Sequence, residues 1–504
     1  MCGIFAYIGP QDPIRVCLEG LRYLEYRGYD SSGIGGLTAE GKLVSLKEVG
    51  KLQALEERLK LEPLELNSFA IAHTRWATHG QRTRENAHPH MDQRGTLALV
   101  HNGIIENHAS LRAMLKSEGV AFQSDTDSEV LAQLIAHLYC GDLLATVQKA
   151  LAMLQGFWAI ALIHKNHPDQ IIAAARELPI SIALCSKRQE ALISSDANAF
   201  AAQGHDVLFL NSDEIAVIKK DRIDVFNDKS SLVTKETQRI AIESQETSKG
   251  SFEHFMLKEI FEQPQTIQQA FHNRFLEDFG TAEFEDFKFT SKELLSIKRI
   301  VILGCGTSWH AGCIAASLLE DKARIPTTAE IASEFRYKNP TISEDTLVIA
   351  ISQSGETLDT IAAVREIKSK GAKVLGLCNV RHSSLTREAD SCLFLRAGPE
   401  MSVCSTKAFT SQLTVLALFS LLMARLRHLS KEEGQIFLQE LQVLPQKIRQ
   451  VLTQKDHIHA LAKKYARYED FFFLGRHYMF TTSLEAALKL KEITYLNAMG
   501  YPAG

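Results

Sequence analysis

Cys2 is the first residue whose type and position suggest chemistry. Removal of an initiator methionine before a small side chain leaves a cysteine at the N-terminus, where the thiol carries its own base. An α-amine with an ordinary pKa near 7.7–8 accepts a thiol proton at neutral pH. By position alone, a buried structural cysteine is the simpler explanation. Other segments change the balance. RGYDSSG (27–33) is a glycine-rich turn between a helix and a strand. HTRWATHG (73–80) offers Arg75, Thr78 and His79 after a strand, and HNGIIEN (101–107) places Asn102 and Gly103 just after another. SDTDSEV (124–130) sets Asp127 at a loop-to-helix junction. Together they hold what hydrolysis of an amino acid's side-chain amide requires. There is a nucleophile, an amide and a backbone N–H for an oxyanion, a guanidinium for an α-carboxylate, and a carboxylate for an α-ammonium.

Each has a plainer explanation. Asn-Gly is the commonest hairpin dipeptide, Asp127 could be a helix N-cap, and Arg75 a surface ion pair. The histidines at 73, 79, 88, 90, 101 and 108 invite a metal reading. No HExxH segment or nearby cysteine ligand accompanies them, so no metal is expected.

The second half carries a different set. GCGTSWH (304–310) has two glycines of a dinucleotide loop, but Trp309 stands where the third belongs, and no GxxxxGK[ST] loop occurs. SQSGET (352–357) supplies the Ser352, Ser354 and Thr357 hydroxyls, the Gln353 amide and N–H groups where a strand meets a helix, which suit a phosphate monoester. A serine-rich N-cap would look the same. In LEAALKLKE (484–492), Glu485, Lys489 and Glu492 share one helix face; a solvated ion pair is the plain alternative there.

These residues need elements to position them. With 504 residues, 45% hydrophobic and 23% charged, the chain is globular and has several domains. A net charge of −4 argues against a non-specific nucleic-acid or membrane-surface binder. The longest apolar stretch, 413–426, is shorter than the roughly 20 residues that cross a bilayer. Nine scattered cysteines without a CxxC pair fit reduced thiols, and with no signal peptide the expected location is cytoplasmic. Up to residue 240, short apolar runs at 4–8, 69–73, 96–100, 157–163, 171–175, 207–210 and 215–218 read as strands. Helices are expected at 13–24, 110–117 and 128–137. A polar linker covers 241–253, and a helical stretch 254–271. Strands at 299–303, 346–351, 373–378 and 392–395 alternate with helices, which implies a parallel sheet covered on both faces. Residues 471–490 restate the strand–loop–helix of 300–319, as a second lobe would. The expected domains are 2–240, 254–430 and 456–504.

In order, MCGIFAYIG, YRGYDSSG, AHTRWATHG, NAHPH, VHNGIIEN and SDTDSEV resemble the glutaminase domain of N-terminal-nucleophile amidotransferases. GCGTS, SQSGET, VCSTKAFTSQL (403–413) and LEAALKLKE resemble paired sugar isomerase domains. In this order, joined by HFMLKEIFEQP, they are similar to the glutamine–fructose-6-phosphate aminotransferases. The resemblance implies an αββα glutaminase, followed by doubly wound α/β sugar isomerase lobes of which the second is incomplete. It makes Cys2 the nucleophile and Asn102 with Gly103 the oxyanion hole. Arg75, Trp76, Thr78, His79 and Asp127 would bind glutamine, Trp76 also gating ammonia. Thr307, Ser308, Ser352, Gln353, Ser354 and Thr357 would hold the sugar phosphate, and Val403 and Ser405 line the sugar. Glu492, with Lys489 beside it, would move the proton between C1 and C2. Leu178-Pro179-Ile180 departs from the family's Ser-Pro-Leu. After YPAG (501–504) the family continues into a segment with a ring-opening histidine and ends on a Schiff-base lysine, so the resemblance implies a chain lacking its C-terminal part. No cofactor is implied; the partners are glutamine, fructose 6-phosphate and a second copy of the chain. Another keto-sugar phosphate as acceptor, or a non-catalytic hexose-phosphate sensor, are the alternatives; a dehydrogenase ranks below both.

Overall fold

The computed structural model describes residues 2–25, 28–77, 79–185, 187–197, 199–200, 206–239 and 249–504. Most of the linker expected at 241–253 lies outside them. The chain divides into two compact units, Met1–Gln245 and Glu246–Gly504.

The first unit is built on two antiparallel sheets, of eight and seven strands. Strand alternation explains how they stack. In Gly3–Ile8, Ile4, Ala6 and Ile8 face a core shared with Ala98, Val100, Ala159 and Ala161 of the other sheet. Phe5 and Tyr7 point the opposite way, onto helices Pro13–Leu24 and Leu52–Leu61. On the far side of the second sheet, Leu97, Leu99, Trp158 and Ile160 pack against helices His108–Ser117, Asp127–Leu138 and Leu143–Ala152. The layers are therefore helix, sheet, sheet, helix. Helices Leu52–Leu61 and Leu143–Ala152 were not expected, although Leu52, Leu55 and Leu59 recur at helical spacing.

Gly3–Ile8 is central in its sheet, between Phe69–Arg75 and Glu190–Ser194. Its register sets Gly3 opposite Thr74 and Ile4 opposite His73. In the second sheet, Leu97–Ile105 pairs with Gly156–His164, Asn102 opposite Ala159 and Gly103 opposite Trp158.

The second unit holds a five-stranded parallel sheet in the order Thr327–Ile331, Arg299–Gly304, Thr346–Ser352, Lys373–Cys378, Ser391–Phe394. The edge strand Thr327–Ile331 escaped the sequence reading because TTAEI has too few apolar residues. Ile300, Ile302, Leu347 and Ile349 join one core with helices Thr307–Ala323 and Lys407–Arg425. Val301, Leu303, Val348 and Ala350 face helices Ala332–Tyr337 and Leu358–Ser369 on the other side. Chain order places the second strand on one side of the first and the third on the other. A topological switch point thus opens between Arg299–Gly304 and Thr346–Ser352, and ligands bind outside the carboxyl ends of such a pair.

One expectation is corrected. Helix Lys407–Arg425 has 19 residues and is, by length and composition, apolar enough to cross a membrane. It starts before the apolar stretch because the Lys407 ammonium is buried against Glu262 at 2.7 Å. Most of its apolar window, 72%, is buried in the unit's own core. Farther on, Asp470–Gly475, helix Tyr478–Thr494 and Asn497–Pro502 form a parallel strand–helix–strand unit.

Phe419 is fully buried in the first of these cores, its ring 6.4 Å from that of Phe287. Phe419→Ala should lower the stability of the second unit by about 3–5 kcal/mol, read as a drop in its urea midpoint.

Candidate active sites

In the first unit, Cys2 stands just ahead of the central strand. The Trp76 N–H donates to its sulfur at 3.2 Å, and the thiol lies 3.4 Å from Trp76 O. The Cys2 carbonyl accepts from Asn102 Nδ2 at 3.2 Å. Asn102 Oδ1 is 2.9 Å from His73 Nε2; an amide oxygen only accepts, so that nitrogen carries the proton. Each sheet thus contributes to a single site: Cys2, His73 and Arg75 from one, Asn102 and Gly103 from the other.

Asn102-Gly103 is no hairpin. Both lie inside the strand Leu97–Ile105, which runs past the end expected for it. Gly103 has φ +128°, and a Cβ there would sit 2.1 Å from Phe157 O, so no other residue fits. Asp127 is not an N-cap either: Thr126 caps the helix, accepting from Glu129 N, and Asp127 is its first residue. The Asp127 carboxylate, buried, accepts from Ile105 N at 2.9 Å and so ties the helix start to the end of that strand.

Arg75 is buried rather than in a surface ion pair. Its guanidinium donates to the carbonyls of Gln81 at 3.1 Å, Gly80 at 3.4 Å and His79. Burial holds its pKa below the ordinary value, against the pull of Cys2, Asp30 and Asp127. Trp76 meets the Tyr29 ring edge-on at 5.4 Å. His79 Nε2 is 3.1 Å from Asp125 O, with its ring edge-to-face on His108. Thr78 lies outside the described residues. Asp30 was missed in the sequence: buried, it accepts from Ala77 N at 2.8 Å and pairs with Arg82 at 3.2 Å, fixing the loop after Arg75.

The histidines form a buried neutral stack. His73 lies face-on to His88 at 4.1 Å, and His88 edge-on to His90 at 4.7 Å. His101 Nδ1 is 2.8 Å from Ser128 Oγ, and Thr126 Oγ1 3.1 Å from His90 Nε2. Desolvation pushes His73 down to about 3 and His88, His90 and His101 below their usual range. Among the described residues no group of three or more His, Cys, Asp or Glu is arranged to hold a metal ion.

In the second unit, GCGTS and SQSGET sit at the carboxyl ends of the two strands flanking the switch point. Ser352 Oγ accepts from Gly355 N at 3.0 Å and lies 3.0 Å from Thr357 Oγ1; Ser354 Oγ accepts from Glu356 N at 3.1 Å. Thr357 is the N-cap residue of helix Leu358–Ser369 but makes no side-chain cap bond. Gln353 O accepts from Asn379 N at 3.0 Å. Gln412 Nε2 donates to Ser308 Oγ at 3.2 Å.

The LEAALKLKE face is not a solvated ion pair. Glu485 is buried, its Oε2 2.6 Å from His310 Nδ1 and its Oε1 accepting from Thr307 Oγ1 at 3.0 Å. Lys489 Nζ lies 3.2 Å from Glu485, 3.1 Å from Glu492 and 2.8 Å from Thr307 Oγ1. Burial alone would lower the lysine's pKa; Glu485 and Glu492 outweigh it and hold the pKa above the ordinary value. Lys489 is thus an ammonium ion at neutral pH. Val403 is exposed and Ser405 partly buried, and Cys404 between them donates to Glu492 Oε2 at 2.9 Å. His310, Gln412 and Cys404 had no local sequence signal: their partners lie 175, 104 and 88 positions away.

A glutamine amidotransferase domain model matches residues 73–202, and a SIS domain model residues 293–422. Over its full length the chain is 43% identical to the glutamine–fructose-6-phosphate aminotransferase (isomerizing) of Chlorobaculum tepidum and 41% identical to that of Thermus thermophilus, covering 82% of each. The chain belongs to the glutamine–fructose-6-phosphate aminotransferase family. The C-terminal domain of the Francisella tularensis glucosamine-fructose-6-phosphate aminotransferase matches 51% of the chain and 72% of its own length, at 36% identity and a TM-score of 0.49. Within the family framework, the amidotransferase segment contains Asn102, Gly103 and Asp127, and the SIS segment contains both loops at the switch point.

The histidine stack makes a pH prediction. Unfolded histidines take a proton below about pH 6.5, whereas folded His73 stays neutral until about 3. The unfolded state binds more protons in between, so the first unit loses stability as pH falls through that window. Its unfolding midpoint should drop from pH 7 to pH 4.5, and His73→Phe should make the drop shallower.

Proposed function

We propose that the first unit hydrolyses glutamine at Cys2 and the second uses the ammonia to convert fructose 6-phosphate into glucosamine 6-phosphate. What carries the reading is the convergence on Cys2: its sulfur against the Trp76 peptide, its carbonyl on the Asn102 amide, and that amide held by His73. The Cys2 sulfur attacks the side-chain amide carbonyl of glutamine. Asn102 Nδ2 and the Gly103 N–H stabilise the oxyanion, ammonia leaves, and water hydrolyses the γ-glutamyl thioester. Arg75, Thr78, His79 and Asp127 hold the α-carboxylate and α-ammonium of glutamine, and Trp76 gates the passage of ammonia.

Ammonia condenses with the C2 ketone of fructose 6-phosphate. Ser352, Gln353, Ser354 and Thr357 hold the phosphate at the switch point with Thr307 and Ser308, and Val403 and Ser405 line the sugar. Glu492 carries the proton between C1 and C2, and a helix holds it rigidly for that task. Lys489, charged, steadies the carboxylate.

Incubation with glutamine and fructose 6-phosphate should yield glutamate and amino-sugar phosphate in equal amounts. Cys2→Ala should release less than about a hundredth of the wild-type glutamate. Glu492→Gln should still release glutamate but form amino-sugar phosphate at least about 100-fold more slowly. Glutamate release persisting in Cys2→Ala would refute the nucleophile assignment; glutamate alone from the unaltered protein would mean that the sugar half either lacks residues it needs or takes a different acceptor.

A further inference from the structure

Glu492 is asymmetric. Its Oε2 receives two donors from different parts of the chain, Lys489 Nζ at 3.1 Å and Cys404 Sγ at 2.9 Å. No hydrogen bond reaches its Oε1 from the described residues, and 36% of the side chain is exposed. The thiol, by contrast, is fully buried. Two buried carboxylates clamp the backbone around it. Glu259 accepts from Met401 N at 2.5 Å and Ser402 N at 3.1 Å; Glu400 accepts from Thr406 N at 2.8 Å and Ala408 N at 3.1 Å. Ser402 Oγ donates to the Cys404 carbonyl at 2.5 Å. The sulfur's place is therefore set by the loop before any substrate arrives.

A thiol is ordinarily a weak donor, but an ionised acceptor strengthens and shortens its bond. Burial pushes the Cys404 thiol up to about 12, so the proton stays on sulfur.

We propose that Cys404 is a positioning residue for proton transfer: its S–H, together with Lys489, occupies Glu492 Oε2 and leaves Oε1 as the oxygen that carries the proton. This rests on the reading of Glu492 as proton carrier. Oε1 takes the proton from C1, the C–H electron pair becomes the C1=C2 bond, and the imine nitrogen gains a proton from solvent. Oε1 then returns its proton to C2 as the C1 hydroxyl loses its own, leaving an aldehyde and an ionised Glu492. The S–H bond does not break. Without it, Lys489 alone would hold a half-exposed carboxylate that has other rotamers open to it.

The test compares Cys404→Ala, Cys404→Ser and Glu492→Gln. Cys404→Ala should lower kcat for amino-sugar phosphate formation about tenfold, as expected for one lost hydrogen bond to a charged group, with KM for fructose 6-phosphate within about twofold. Cys404→Ser, which keeps a donor, should recover most of that loss. Infrared difference spectra give a readout independent of turnover. The S–H stretch missing from Cys404→Ala should lie below those of the other thiols, and it should move up in Glu492→Ala. Unchanged kcat in Cys404→Ala, or an S–H stretch indifferent to Glu492, overturns the inference. Undiminished amino-sugar formation by Glu492→Gln instead overturns the underlying reading of Glu492.

Discussion

A carboxylate taken out of water has to be paired, and Glu485 is such a group. Removing one partner of a buried ion pair costs about 3–5 kcal/mol, because the remaining charge is left without compensation. Glu485 satisfies both oxygens, one with His310 and one with Thr307 and Lys489. Thr307 and His310 open the helix that follows the first parallel strand, whereas Glu485 and Lys489 sit on Tyr478–Thr494. The pairing therefore pins the later helix across the start of the earlier one. Everything that distinguishes this site descends from it. Lys489 is held as a cation, and Glu492, one turn on, is placed where Lys489 and the clamped loop meet it.

The first unit solves a similar problem without ions. Asn102 must present its amide N–H groups in one direction, and a primary amide can flip. His73 prevents that by donating to Oδ1, and His73 is itself kept neutral by burial and by the nearby Arg75 and His101. A charged imidazole there would face Arg75 across a water-poor interior, where repulsion is strong. Neutral histidines and a strand glycine too crowded for any Cβ together fix the geometry around the thiol.

The sequence was most legible where chemistry is local. Short apolar runs show a strand-rich first half and strand–helix alternation shows the parallel sheet, whereas the αββα layering came only with the resemblance to a known family. Asn102-Gly103 shows where local reading stops. The dipeptide fits a hairpin and an oxyanion site equally, and the extended pairing with Gly156–His164 excludes the hairpin. Asp127 is similar: its neighbour Thr126 takes the capping role, which frees the aspartate to reach Ile105. His310, Gln412 and Cys404 were invisible because each acts through a contact across scores of residues. Helix Lys407–Arg425 looked too short to be unusual until Glu262, also remote in sequence, allowed a lysine into its buried end.

The central place of Gly3–Ile8 has a consequence for the order of assembly. That strand lies between residues 69–75 and 190–194, so the ribosome must deliver almost the whole first unit before the strand can be enclosed. At about 5–20 residues per second, that interval is roughly 10–40 s. Cys2 is therefore synthesised well before the strands that come to flank its own, and it reaches its final surroundings only after them. Through that time the nascent thiol has neither the Trp76 peptide nor the Asn102 amide beside it. Vectorial synthesis thus separates the making of the thiol from the making of its surroundings.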